Sequence, residues 1–412
     1  MTNLKKNILY SGILTTANYI FPLITYPYVS RVLGVANIGV CNFVDSIINY
    51  FLLFSVLGIG VVGIREIAKN KGDKDKLQKT FSQLFTINTI STSIALLVLL
   101  IAMHTVGRLQ ENYELLWIGV LKLVFNYLLI EWFYKGLEDF KYITNRTIWV
   151  RCFYVICVFL LVKTPQDITT YYFLTSAIII INAIINVLYA RKYVKFTFCL
   201  SSLREPAKAI CIFGLYSILT SMYTTFNVAY LGFVSTDTQV GLYTTSTKIH
   251  TIILMAFTAI TGVLMPRMAA ILSEKKYDEY KRLIKKSVNI LFLFAIPCVI
   301  IIEVFAPLII RIIAGAGYEG AITPLRIIAP LVLIIGIEQI LITQSLIPMG
   351  RDKAVLTNSI MGAIVGILAN IFIVPHLESV GSAIAWLAAE VAVMLSAIYF
   401  FNKEWRKLKF VE

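Results

Sequence analysis

Charge is scarce in this sequence. Asp, Glu, Lys and Arg make up 15% of its 412 residues, while apolar residues make up 58%. Soluble domains carry about 25% charged and roughly 45–50% apolar residues. A water-soluble surface cannot be built from so little charge, which excludes a soluble enzyme. The same composition excludes disorder. Histidine is nearly missing: His104, His250 and His376 are scattered and spell no metal motif. The six cysteines (Cys41, Cys152, Cys157, Cys199, Cys211, Cys298) form no C-x-x-C pair and are expected to be reduced structural thiols. No Walker A sequence occurs, which argues against ATP hydrolysis. The strict alternation of a membrane β-barrel is absent too. Neither a metal nor a cofactor is expected.

What the chain has instead is length of apolar run. Mean hydropathy is +0.80. Runs fall at 8–30, 38–63, 81–103, 113–134, 147–163, 169–190, 207–233, 240–266, 287–310, 322–347, 354–375 and 379–401. A crossing helix takes about 20 apolar residues, so these make about twelve spans. The fifth run is short. The first follows Lys5 and Lys6, is too long for a signal-peptide core and lacks a small-x-small cleavage site, so it is expected to span. The expected fold is an all-α integral membrane protein.

The net charge of +14 would suggest nucleic acid in a soluble protein. Here its distribution points elsewhere. With the N-terminus inside, Lys and Arg collect in alternate connections, for example Arg65–Lys79, Lys135–Arg151, Arg191–Lys208 and Arg267–Lys286. Arg31, Arg108, Lys122, Lys163, Lys248, Arg311 and Arg326 fall outside them, and Lys122 and Lys248 lie inside runs. This alternation is the positive-inside bias and puts both termini in the cytoplasm. No nucleic-acid partner is expected.

The halves echo each other. Gly39 and Arg65 stand at the same spacing as Gly241 and Arg267, and each glycine follows a Leu-Gly pair, Leu33-Gly34 and Leu231-Gly232. Gly136 precedes Thr144-Asn145 much as Gly350 precedes Thr357-Asn358. An offset of about half the chain with six spans per half predicts two parallel-repeat six-helix bundles, 1–204 and 205–412, around a central cavity.

Several motifs carry less than they resemble. Gly58-x-Gly-x-x-Gly63 matches the dinucleotide fingerprint but lies in an apolar span, where close helix packing explains it. Asp73-Lys-Asp75 sits in a lysine-rich loop without a further acid cluster. Gly362-x-x-x-Gly366 is a packing motif of ordinary specificity.

Charges inside spans carry more, because each costs at least about 2.5–3.5 kcal/mol at mid-bilayer. Lys122, Lys248 and Arg31 would give a cavity a cationic wall, which selects anions and phosphates in particular. Snorkelling to the interface competes as an explanation for Arg31, Arg311 and Arg326. Asn42, Asp45 and Asn49 form one polar stripe on span two. Asp45 either pairs with a cavity cation or binds a coupling proton or Na⁺. Glu131 is a further acidic candidate, and Glu303, Glu338 and Glu390 are similar but less well placed by the pattern. Further stripes run along span one (Ser11, Thr15, Asn18, Thr25), span seven (Tyr216, Thr220, Tyr223, Thr224, Asn227) and the start of span eight (Tyr243–Lys248). Hydrogen bonding between helices is the competing explanation for each.

Four segments bear a resemblance. Asn18–Gly34 (NYIFPLITYPYVSRVLG), Gly63–Asn70 (GIREIAKN), Glu131–Arg146 (EWFYKGLEDFKYITNR) and Leu231–Lys248 resemble corresponding segments of bacterial polysaccharide repeat-unit flippases. These are the O-antigen and capsule flippases of the multidrug/oligosaccharidyl-lipid/polysaccharide export superfamily. The resemblance implies a multi-pass protein of the bacterial inner membrane. It implies transport of an undecaprenyl-diphosphate-linked oligosaccharide from the cytoplasmic to the periplasmic leaflet, driven by an ion gradient. Membrane lipid, a polysaccharide polymerase and a chain-length regulator would be its other partners. On this view Arg31, Lys122, Lys248, Asn18, Asn49, Asn227 and Tyr223 contact substrate, while Asp45, Glu338 and Glu390 serve ion coupling or gating. A multidrug cation antiporter of the same superfamily is the first alternative, but it favours an acidic cavity. A membrane polysaccharide polymerase is the second; the outer loops are short for it, and no nucleophile or acid/base motif supports catalysis.

Overall fold

The computed structural model describes residues 3–274 and 276–409, some side chains within the helices excepted. Every regular element among them is helical. Lipid leaves no other choice for spans of this kind, since each backbone N–H and C=O must be satisfied within its own segment. Eight helical segments are long and apolar enough to cross a membrane, and the protein is accordingly a multi-pass membrane protein. Two of the eight, Leu9–Asn70 at 62 residues and Asp352–Arg406 at 55, are far longer than one crossing needs.

Both long segments are broken inside. Helix α1 (Asn3–Val56) turns at Gly34, with φ 78 and ψ 169. That region of backbone space is essentially closed to residues with a Cβ. Helix α15 (Asp352–Lys409) breaks at Glu378, with φ 49 and ψ −122. There the Ser235 hydroxyl donates to the Glu378 Oε1 at 2.8 Å, holding the side chain of the strained residue.

The chain divides into two compact units, one up to Ile218 and one from Leu219 onward. The first holds α1, α2 (Ile59–Asn70), α3 (Lys74–Thr105), the short α4 (Gly107–Gln110), α5 (Tyr113–Asn126), α6 (Glu131–Gly136), α7 (Phe140–Leu161), α8 (Ile168–Ala190) and the start of α9 (Arg204–Thr224). Its core gathers Ile59, Phe81, Phe85, Trp132, Phe133 and Tyr134. The Phe81 ring lies 5.2–5.7 Å from Phe85, Trp132, Phe133 and Phe196. Glycines let the helices close on one another. A Cβ on Gly136 would stand 2.7 Å from Ile67, and one on Gly119 2.5 Å from Ile48. Asp73, the first acid of the D-x-D sequence, caps α3, accepting from the Asp75 and Lys76 amides at 3.1 Å. The Lys76 amide and ammonium hold its carboxyl below the usual range, which keeps it charged as a cap.

The second unit continues with α10 (Phe226–Val234), α11 (Asp237–Ser273), α12 (Tyr277–Ile313), α13 (Ile322–Ile328), α14 (Leu331–Glu338) and α15. A wider, π-helical stretch over Gln339–Leu346 follows α14. Small residues again set the spacing: a Cβ on Gly336 would fall 2.1 Å from Leu291. Along α12, Leu293, Ile300, Val304 and Leu308 are exposed, an apolar stripe that faces solvent nowhere but in lipid.

Gly34 and Gly12 separate conformation from space, because neither would bring a Cβ within 4 Å of anything. Gly34→Ala is expected to lower the melting temperature of the detergent-solubilised protein, by a cost of about 1–3 kcal/mol. Gly12→Ala, at a helical position, should leave it unchanged or slightly raised. Differential scanning fluorimetry of both variants checks this.

Candidate functional site

The stripe predicted on span two lies on α1, and its acid is engaged. The Lys122 ammonium forms an ion pair with Asp45 Oδ1. The Asn49 amide donates to Asp45 Oδ2 at 3.2 Å, and the Tyr172 hydroxyl reaches Oδ1 at 3.5 Å. Asn42 turns away to the Ile38 carbonyl at 2.7 Å. The Lys122 side chain is 11% exposed and that of Asp45 38%, so the carboxylate keeps an open side. Helix α1 supplies Asp45 and Asn49, α5 supplies Lys122 and α8 supplies Tyr172. The cation that sequence alone would offer to a substrate is thus already neutralised by a neighbouring span.

A second charged group fills the other end of this unit. Span four is not one helix. After α5 come a tight turn at Tyr127–Leu129 and Ile130 in the left-handed region, with φ 36, before α6 begins. For a β-branched residue that backbone is strained. The break leaves the Leu129 carbonyl without a helical partner, and the buried Asn186 amide donates to it. Asn186 is a hub: its Oδ1 accepts from the Arg146 guanidinium, and from Tyr142 at 2.9 Å. Arg146, 3% exposed, also binds Glu131 Oε1 at 2.8 Å, and Lys135 holds Glu131 Oε2 at 3.3 Å. Tyr142 stacks on Tyr189 with centroids 3.8 Å apart. Beside the break a cavity of about 180 Å³ is lined by Asn88, Asn126, Glu131 and Lys135 among apolar neighbours.

This network corrects the sequence account. Helix α7 starts at Phe140, where Asp139 accepts from the Tyr142 amide at 3.2 Å, well ahead of the apolar run at 147–163. Arg146 and Arg151, counted by the charge pattern with a cytoplasmic connection and the first turns of its spans, lie within a helix of 22 residues, Arg151 near its middle. Their presence is what made the fifth run look short. The signal was available in Glu131 and Arg146 flanking a run of aromatic residues.

The second unit holds acid against acid. Glu338 and Glu390 are 7% and 4% exposed, and their carboxyl groups lie close enough to act on each other. Trp386 Nε1 donates to Glu390 Oε1 at 2.8 Å. The fully buried His250 ring lies edge-on to Trp386 at 5.2 Å, and neither of its nitrogens has a hydrogen-bond partner. Close by in the fold, the Asn227 amide donates to the Tyr243 hydroxyl at 3.1 Å, and Asn370 donates to Asn227 Oδ1 at 2.6 Å.

The remaining sequence candidates are dispersed. Arg31 is exposed and its guanidinium donates to the Pro27 carbonyl. Asn18 is exposed, and Lys248 is half-buried on α11. The side chains of Tyr216, Thr220, Tyr223 and Thr224 lie outside the described residues.

Comparison with known proteins agrees with this architecture. A protein of Escherichia coli K12 that is named for O-antigen transport is 27% identical, over 97% of this chain and 96% of its own length. A Haloferax volcanii protein named for a flippase role in low-salt glycan biosynthesis is 24% identical over 48% of this chain and 44% of its own. Among solved structures, the lipid II flippase MurJ in an inward closed conformation superposes with a TM-score of 0.76 at 14% identity, covering 98% of this chain and 90% of that one. An inward-facing multidrug-resistance transporter of the MATE family, in the MOP superfamily, gives 0.70 at 16% identity, with 94% of both chains covered. These likenesses show the fold. The model of the polysaccharide biosynthesis protein family matches residues 4–272, and the chain belongs to that family.

Proposed function

We propose that this protein is a flippase that moves an undecaprenyl-diphosphate-linked oligosaccharide from the cytoplasmic to the periplasmic leaflet of the bacterial inner membrane. It does so by ion-coupled alternating access, through twelve crossings in two six-helix bundles with both termini cytoplasmic. The observation that carries this reading is that ionisable groups lie well inside the spans of each unit and meet partners on other helices: Asp45 with Lys122, and Glu338 with Glu390. Charge kept at such positions marks transport paths and proton relays by default. The substrate class rests on the family and on relatives named for O-antigen transport and glycan flipping.

In this mechanism Glu338 and Glu390 hold a proton between them. Losing it leaves two carboxylates side by side among Trp386, His250 and Tyr243, and their repulsion drives the helices that carry them apart. A bound proton restores the closed arrangement. Asp45 and Lys122 act as a charge gate: an anionic substrate competes with Asp45 for Lys122, and the open side of the carboxylate gives the gate room to move. Lys248 and Arg31 supply further positive charge, and Asn49, Asn227, Asn18 and Tyr223 offer polar groups to sugar hydroxyls.

Translocation of a labelled undecaprenyl-diphosphate oligosaccharide in liposomes, with and without a proton or Na⁺ gradient, tests the proposal. Protein-dependent transport stimulated by a proton gradient is expected. Efflux of organic cations without lipid transport would instead establish the multidrug antiporter. Glu390→Gln should abolish stimulation by the proton gradient while leaving exchange at zero gradient measurable. Lys122→Ala and Lys248→Ala should each reduce surface polysaccharide at unchanged protein level. Lys122→Met leaves Asp45 unpaired and should cost about 1–3 kcal/mol of stability. The exchange Asp45→Lys with Lys122→Asp should recover most of that loss, as thermal unfolding of the single and double variants will report.

A further inference from the structure

We propose that Arg151, midway along α7, is the phosphate-binding residue of the first unit; this rests on the flippase reading above and names a contact within it. Arg151 lies on the opposite side of α7 from the exposed stripe of Trp149, Phe153, Ile156 and Leu160, so its guanidinium points into protein rather than lipid. Its position mid-helix leaves it too far from either end to reach the interface. Its Nε is buried without a hydrogen-bond partner. No ion pair or hydrogen bond joins the guanidinium to another described residue.

Two other cations within the spans of this unit already have partners. Lys122 is held by Asp45 and Arg146 by Glu131 and Asn186. Glu131 is the carboxylate whose field reaches Arg151. Both of its oxygens are already taken, one by Arg146 and one by Lys135. The group of Arg146, Arg151, Lys135 and Glu131 therefore carries a positive surplus that no described side chain cancels. An arginine cannot shed its proton to escape the cost, so its charge persists and calls for an anion.

The surroundings suit a phosphate. Tyr154 lies beside Arg151, and the side chains of Tyr171 and Thr25 are its neighbours. A planar guanidinium binds two phosphate oxygens at once, and neighbouring hydroxyls can turn to donate to the others. A phosphate reaches this site from a lipid-linked diphosphate, a bulk phospholipid headgroup or free diphosphate. A chain that selects its cargo by this contact must prefer the first.

Binding of labelled undecaprenyl diphosphate, of phosphatidylglycerol and of inorganic diphosphate to the full-length protein in neutral-lipid nanodiscs distinguishes these sources. Undecaprenyl diphosphate is expected to bind at least tenfold more weakly to Arg151→Gln. Arg151→Lys, which keeps charge but loses the planar fork, should fall between that variant and the wild type; it also serves if the Gln variant does not fold. Glu131→Gln, which enlarges the positive surplus, should bind more tightly. Equal affinity in wild type, Arg151→Gln and Arg151→Lys overturns the assignment, as does equal competition by phosphatidylglycerol. Wild-type protein that binds inorganic diphosphate through Arg151 but not the lipid would keep the anion site and sink the flippase reading. Protein that binds none of the three overturns both.

Discussion

Hydrocarbon offers no partner to a polar group, and that single constraint decides where the polar atoms of this chain sit. With water absent, a charge or a broken backbone bond must be answered from another helix. Asp45 is answered by Lys122, Glu131 by Arg146 and Lys135, and the Leu129 carbonyl by Asn186. All but the Lys135 contact, which lies within α6, cross from one helix to another. The polar contacts therefore fix which helices stand together, a task that apolar side chains cannot perform in lipid because tails are as apolar as leucine.

The breaks in the helices follow from the same constraint. A kink frees backbone groups, so it is tolerable only where a side chain waits for them. At Ile130 that side chain is Asn186, itself anchored by Arg146 and by Tyr142. At Glu378 Ser235 holds the residue that turns. Gly34 solves the problem differently, by lacking the Cβ that its backbone angles would strain. The break in span four comes with a cost in backbone strain at a β-branched residue. Such strain persists only where the surroundings over-determine it, and the ring of Asn186, Arg146, Tyr134 and Tyr142 does so.

Much of this was legible in the sequence. Long apolar runs gave helical membrane spans because hydropathy and length answer to one physical scale, the thickness of hydrocarbon. The stripe of Asn42, Asp45 and Asn49 was visible because three and four residues return a helix to one face. What remained hidden was every partner. Nothing local in the sequence ties Asp45 to Lys122 or Glu131 to Arg146, since such pairs depend on how helices turn about their axes. The burial of Arg146 was hidden for a related reason: basic residues at a span end and basic residues buried within a span look alike to a rule that only counts them. Glu338 and Glu390 were picked out as intramembrane acids, yet their meeting belongs to the packing of α14 against α15.

The two units use intramembrane charge in opposite ways. The first binds its acids with more cations than they need, a surplus that on the proposal above attracts a further anion. The second brings two acids together beside an indole donor and the His250 ring, an arrangement that in the proposed mechanism holds a proton. In the proposed mechanism an anionic cargo and a proton therefore find separate sites of opposite preference. Neither needs to displace the other, because they do not compete for the same groups. Coupling between them then has to run through helix movement rather than through direct exchange at one site. The features that movement requires are the broken spans at Gly34, Ile130 and Glu378, where a crossing can bend without losing its internal hydrogen bonds on either side.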